Sequence, residues 1–423
     1  MKQIPKLVRD ISKKTRGRVL IVGSKTSEQR ERSTYHAICQ AAQSSGIPCV
    51  PFSPPIREDE IDSSPGCLLE YAVDGLAMAK RTGCASVLVV GGGSTIEVAK
   101  SIAQLLTSGV TPQSLTEPSS REAKIRTIIQ KNEQAAAPII AVPTSFHGCV
   151  AASSNRTYLS DPLEGSVLNM AGDHLDRSGG VHVVIDPNLL RQSSPMTCAE
   201  GAISSLARLS DTLLVNEGGE DDIGRDDGQA LGELVGSIKE ILDISFDLYD
   251  QGVVSMASWK SKIDDKDKDI FGRKIEDEDI CEQYGALGCV IGSCISLGGP
   301  GITHSIARVI ASNYNVSFGQ ACALILPHII NIQMDRSSQD TSRNKNGMAA
   351  KGMKVHLENI SFEKDQDGTM YGSFGRVRAQ TYIANPSADD LKELTSAIMM
   401  DECFKQGECE SGKVEKFVVF CCE

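Results

Sequence analysis

The sequence predicts an α/β amino-terminal domain with a Rossmann-like, mostly parallel sheet, followed by an all-α carboxy-terminal domain, divided at residue 187. Three observations predict it. Short, β-branched apolar runs alternate with helical periodicities up to Pro187. One of those runs ends in consecutive glycines, Gly91, Gly92 and Gly93. Beyond Pro187 such runs thin out and apolar spacing at i, i+3 and i+4 takes over.

The elements follow in order. Residues 18–23 read as a strand ending in a glycine turn, 27–45 as a helix and 48–53 as a second strand. Residues 68–82 carry Tyr71, Ala72, Leu76 and Ala79 at helical spacing. Residues 87–90 read as a buried parallel strand. Ser94 is the expected N-cap of a helix that places Ile96, Ala99, Ile102 and Ala103 on one face. Residues 108–135 are polar, a loop with one helix; 138–145 form a strand running into a polar turn, and 181–187 form the last strand. In the second domain, helices are expected at 198–216, 228–250, 277–297, 301–313 and 319–335. The charged stretches 217–227 and 261–279 read as solvated loops or exposed helix faces. Residues 336–389 give no clear pattern, and no internal repeat is visible.

Composition narrows the function. A chain of 423 residues with 40% hydrophobic content supports two cored domains. Its net charge of −12 argues against nucleic acid as a partner. The apolar runs are too short to span a bilayer, so no membrane partner is expected. The start, Met1 to Lys6, lacks the apolar core of a signal peptide, and the fourteen cysteines show no CxxC spacing. Both point to a cytoplasmic protein with reduced thiols. The tail Cys421-Cys422-Glu423 does not fit a prenylation box.

The richest chemistry lies at the glycine turn. A strand, a turn without Cβ atoms and a helix N-terminus together present free amides and a positive dipole end. That is a cradle for a pyrophosphate. The plainer alternative is a tight βα turn that binds nothing.

Four ordered landmarks carry a family resemblance across residues 17–335. Gly91 to Lys100 resembles the motif GGGSxxDxAK, with Glu97 in the Asp place. Ala141 to Ser145 resembles a strand followed by a PTT turn, and Asp186 to Leu189 a DPxL segment. Gly301 to His328 resembles a long helical motif, matching at Gly301, His304, Tyr314, Gly319, Ala323, Leu326, Pro327 and His328. The chain therefore resembles the iron-containing alcohol dehydrogenase superfamily, which shares its fold with dehydroquinate synthase and glycerol dehydrogenase. The stretch from Pro143 to Cys149 resembles the PTTYAGS of maleylacetate reductases. The segment before the first strand is shorter than the family's, so the sheet edge is expected to be less covered.

The resemblance implies a nicotinamide cofactor, a small-molecule carbonyl substrate and an active site in the cleft between domains. It implies cofactor contacts from Gly91, Gly92, Gly93, Ser94, Glu97, Thr144, Ser145 and His147, and it leaves His328 structural. His147 touches nicotinamide or substrate, or is simply a turn residue. The family's metal is held by one Asp and three His. The matching positions here are Gly201, Ser205, His304 and Phe318, so one ligand remains. One imidazole cannot hold a catalytic metal, and none is expected; Cys198, Glu200 and His147 are the conceivable replacement ligands. His304 is then the expected donor to a forming alkoxide, with Arg308 one turn on to orient the substrate. The plain alternative leaves His304 as a buried, hydrogen-bonded remnant and Arg308 paired with a local acid.

After the first strand come Ser24 and Lys25, with no carboxylate for the ribose 2′-hydroxyl; this favours NADP(H) over NAD(H). Three functions stay open: a metal-independent reductase or dehydrogenase of a small ketone, aldehyde or keto acid; a non-redox lyase, isomerase or cyclase; or a non-catalytic nucleotide-binding protein. The family also forms dimers through the sheet edge, so a homodimer is the assembly to test.

Overall fold

Alternation along the apolar runs builds a two-faced sheet. In the computed structural model, strands β1 (Arg18–Val22), β2 (Cys49–Phe52), β3 (Cys84–Gly91), β4 (Ile139–Pro143) and β7 (Val181–Val183) form one parallel sheet in the order β2-β1-β3-β4-β7. Leu20, Val22, Val87, Val89, Ile139 and Ala141 enter one apolar cluster. Their neighbours Val19, Ile21, Leu88, Val90, Ile140 and Val142 enter another. Successive side chains point to opposite faces of a strand, so each run feeds both cores. The structure describes residues 16–24, 34–54, 69–115, 135–161, 166–170, 180–215, 227–252, 280–298, 302–313 and 316–326, with isolated positions elsewhere. They group into two units, Met1–Leu190 with Gly288–Ser296, and Arg191–Leu287 with Leu297–Glu423.

Helices cover both faces of the sheet in the first unit. Helix α1 (Thr34–Ser44) lays Tyr35, Ile38, Cys39 and Ala42 on one cluster. Helices α2 (Leu69–Thr82), α3 (Gly93–Thr107) and α4 (Phe146–Ser153) supply the other. Short helix α5 (Pro187–Leu190) adds Leu189 to the first. This is the doubly wound α/β arrangement the sequence predicts, with one correction at α3. Its cap is Gly92, which makes no side-chain cap hydrogen bond, and Ser94 lies inside the first turn. Three glycines let the cap fall two residues before the side chain expected to supply it.

The antiparallel pair β5 (Thr157–Asp161) and β6 (Ser166–Met170) was not expected from the sequence. Tertiary contacts at its start explain it. Lys100 is fully buried and its Nζ donates to the carbonyls of Ala151 at 2.9 Å and Arg156 at 2.6 Å. One turn earlier, Glu97 Oε2 accepts the Tyr158 amide at 3.0 Å and lies 4.0 Å from Lys100 Nζ. The pair thus ties α3 to the end of α4 and to β5.

Helices dominate the second unit: α6 (Pro195–Val215), α7 (Asp227–Asp250), α8 (Ile280–Gly298, whose residues 288–296 group with the first unit) and α9 (Ile302–Asn313). Residues 318–326 are also helical. Among the described residues, the exception to an all-helical domain is a two-residue ladder, β8 (Glu363–Lys364) with β9 (Met370–Tyr371). Such short pairing leaves almost no periodicity in a sequence. No helix among the described residues is long and apolar enough to cross a membrane.

Replacing Lys100 with Met would leave two carbonyls and the Glu97 carboxylate without their cation. We expect a loss of about 3 kcal/mol, read from urea unfolding midpoints. A loss below about 1 kcal/mol would show that this cation does not hold the corner together.

Candidate functional site

Two helix N-termini meet beside the glycine turn. β3 and β4 end level, with Gly91 opposite Pro143, and the Thr144 amide donates to the Gly91 carbonyl at 3.0 Å. From there α3 begins at Gly93 and α4 at Phe146. Ser145 caps α4, its hydroxyl accepting the Gly148 amide at 3.1 Å. A Cβ on Gly148 would lie 3.2 Å from the Gly91 carbonyl, a measure of how closely the turns approach. First-turn amides have no intrahelical acceptor, and each helix places its positive dipole end here.

The glycines themselves need a different explanation from the one the motif suggests. A Cβ on Gly93 would collide with the His147 imidazole, and one on Gly91 would sit 2.7 Å from Thr95 Cβ. Both are therefore demanded by neighbours within the protein, whatever binds. Only Gly92 has room, with Ser145 Oγ at an ordinary 3.4 Å. Ser94 is exposed, and Gly92, Thr144 and His147 are half-buried around that spot. An anion that accepts amides fits this space.

The sheet order supports the same location. β2 lies on one side of β1 while β3, β4 and β7 run off on the other, so the order reverses between β1 and β3. Open α/β sheets bind ligands at that reversal, outside the carboxyl ends of the strands. β1 ends there with Gly23 and Ser24; the Gly23 amide donates to the Phe52 carbonyl at 2.9 Å, and the Ser24 carbonyl accepts the Ser53 hydroxyl. Lys25 lies outside the described residues, as does His328. Glu97 is buried and its carboxylate is engaged by Tyr158 and Lys100, on the side of α3 that faces β5.

The second unit brings His304 and Arg308 together, both buried. Arg308 Nε donates to His304 Nε2 at 3.3 Å, so the neutral ring carries its proton on Nδ1. The Phe318 ring lies edge-on to His304, 5.1 Å between centroids. Two guanidinium groups lie over that ring, Arg208 at 5.4 Å and Arg308 at 5.3 Å from its centroid. Asp211 Oδ1 and Oδ2 accept the amides of Thr303 at 3.1 Å and His304 at 2.8 Å, capping α9 from a neighbouring helix. Burial pushes the Asp211 carboxyl up to about 6; hydrogen bonds from Thr303 and His304 and the Arg208 charge pull the other way.

These residues do not fit a catalytic metal. Gly201 offers only a carbonyl, which already accepts the Ser204 and Ser205 hydroxyls at 2.9 and 2.7 Å. Phe318 has no donor, and His304 Nε2 is turned to a guanidinium. Of the conceivable replacements, burial raises the Glu200 carboxyl and the Cys198 thiol, and the latter reaches about 11. Among the described residues, no group of three or more His, Cys, Asp or Glu is arranged to hold an ion.

The sequence reading missed Arg208 and Asp211. Their signal was present: two charges three residues apart in a helix otherwise lined by Ala202, Ile203, Leu206, Ala207 and Leu209, all buried. Charges on a buried helix face need partners, and here the partners come from α9 and the 318–326 helix.

Residues 1–193 match the family model described as iron-containing alcohol dehydrogenase. No curated protein matches the chain in sequence. Among solved structures, the chain is similar to an iron-containing alcohol dehydrogenase from Thermotoga maritima, with a TM-score of 0.64 and 15% identity over 99% of this chain and 96% of that one. It is similar to an NADH-dependent butanol dehydrogenase from the same organism, with a TM-score of 0.64 and 15% identity over 99% and 94%. It is also similar to a sulfoacetaldehyde reductase from Bifidobacterium kashiwanohense solved with NAD+, with a TM-score of 0.63 and 13% identity over 100% and 95%. At these identities the likeness is one of fold.

Because the Asp211 carboxyl is raised when folded, its contribution to stability is complete below its ordinary value of 3.8 and is lost as pH rises through about 6. Asp211→Asn does not ionise. Wild-type stability relative to this variant should fall by roughly 3 kcal/mol between those limits, measured by thermal unfolding against pH. A constant difference across that range would contradict the raised value.

Proposed function

From the family match over residues 1–193 and the shared fold, which support the iron-containing alcohol dehydrogenase superfamily, we propose that this chain is a metal-independent, nicotinamide-dependent reductase. Its substrate is a small ketone, aldehyde or keto acid. The observation that carries the proposal is the pair of helix N-termini, α3 and α4, side by side at the reversal point of the sheet.

The amides opening α3, with Ser94, Thr144 and Ser145 beside them, hold the pyrophosphate. Ser24 and Lys25 take the adenine ribose, and without a carboxylate there they favour NADPH. Two of the similar structures are of NAD(H) proteins by their own descriptions, so both nucleotides belong in the test. When bound, the nicotinamide supplies a hydride to the substrate carbonyl. The chain's own task is the other half of the reduction, a proton for the new alkoxide oxygen. His304 delivers it from Nδ1, the ring position that Arg308 leaves protonated. Arg208 and Arg308 replace the fixed positive charge of a metal and steady the developing anion.

A second reading, a nucleotide-binding protein without carbonyl chemistry, is favoured by one observation: His304 and Arg308 are only 2% and 6% exposed. Two experiments separate the readings. Titration of chelator-treated protein with NADPH and NADH, followed by nicotinamide fluorescence, should show binding that chelation leaves unchanged. Failure to bind either nucleotide would sink both readings. A panel of small carbonyl compounds should then oxidise the bound nucleotide, and His304→Ala should lower kcat by about 10²- to 10⁴-fold while nucleotide affinity holds. Binding without turnover across the panel would favour the second reading.

A further inference from the structure

The first unit contains a pair of thiols that the reductase reading does not use. Cys149 lies on α4, four residues after the Ser145 cap, and is fully buried. Cys289 lies on α8 and is half-buried, beside the exposed Val290 and Ser293. The two helices pack closely at this point. A Cβ on Gly288 would come within 2.8 Å of Cys149 Cβ, and one on Gly292 would collide with the Val150 carbonyl. Cys289 Sγ donates to the Cys149 carbonyl at 3.9 Å, and the two thiols are near enough to shift each other's ionisation.

We propose that Cys149 and Cys289 are an oxidisable dithiol, in which Cys289 reacts first with a hydroperoxide and Cys149 then closes an intramolecular disulfide between α4 and α8. The Cys289 thiolate attacks the terminal peroxide oxygen; the O–O bond breaks, leaving a sulfenic acid on Cys289, and the other oxygen takes up the proton the thiol had lost and leaves as water from hydrogen peroxide or as an alcohol from an organic hydroperoxide. The Cys149 sulfur then attacks that sulfur, an S–S bond forms, the S–O bond breaks and water leaves with the Cys149 proton. Both thiols are oxidised and the hydroperoxide is reduced, so no further reactant is needed.

Electrostatics favours this order. Hydrogen bonds from Cys149 and Ser153 pull the Cys289 thiol down towards neutrality against its desolvation. Burial pushes up the thiols of Cys39, Cys49, Cys84, Cys198, Cys281, Cys294 and Cys322. A thiolate that is both formed and reachable reacts first. The inference does not rest on the reductase reading, since the bond would form whatever the cradle binds.

The test uses the full chain treated with hydrogen peroxide, blocked with an alkylating agent and digested without reductant for mass spectrometry. The expected result is one dominant Cys149–Cys289 crosslink that dithiothreitol reverses. In Cys289→Ser, Cys149 should stay alkylatable after denaturation; in Cys149→Ser, Cys289 should stop at a sulfenic acid that dimedone traps. Loss of Cys149 at the wild-type rate in Cys289→Ser, or a Cys39–Cys49 crosslink forming ahead of this one, would overturn the proposal. So would both thiols surviving peroxide. Should either variant fail to fold, alkylation rates of the reduced wild-type protein decide. Cys289 should react at least about tenfold faster than the other described cysteines, and equal rates would overturn the order.

Discussion

Lys100 carries its charge on a side chain without solvent exposure, and a buried ammonium is costly unless its protons are met. It meets the Ala151 and Arg156 carbonyls, with Glu97 one turn away on the same helix. Those bonds fix α3 against the last turn of α4 and against the strand that follows. The other ends of the same two helices are the N-termini beside the glycine turn. The geometry of the cradle is thus set from its far side, by a cation that never approaches a ligand.

That view changes what the glycines mean. Their number suggests a ligand, yet Gly91 and Gly93 answer to Thr95 and His147. His147 on α4 leaves no room for a Cβ at Gly93, and Thr95 on α3 itself leaves none at Gly91. What favours a nucleotide is the convergence of two helix dipoles at a sheet reversal, not the glycines. A tight βα turn alone would require neither.

At the positions where the resemblance implies metal ligands, the second unit offers other chemistry. Where a metal would draw in four donors, α6 offers a glycine and a serine, and the remaining imidazole is turned to Arg308. Two guanidinium groups, of Arg208 and Arg308, lie over the aromatic ring of Phe318. Both positive charges beside this ring belong to side chains. Asp211, meanwhile, spends both carboxylate oxygens on the backbone of α9 and so sets the start of the helix that carries His304 and Arg308.

The sequence alone determined the parallel strands, the main helices of both units and the glycine turn, because each is a local pattern. Periods of two and 3.6 residues and a run of residues without Cβ are legible along the chain, whereas the metal-ligand positions came only from the family resemblance. Tertiary structure alone decided the rest. The β5–β6 pair exists because Glu97 and Lys100 hold its start, and Arg208 and Asp211 matter because α9 arrives beside them. The start of α3 at Gly93 depends on what α4 leaves free. Each is a contact between residues far apart in sequence, where the energy of burying a charge or excluding a methyl group appears only after the chain has closed on itself.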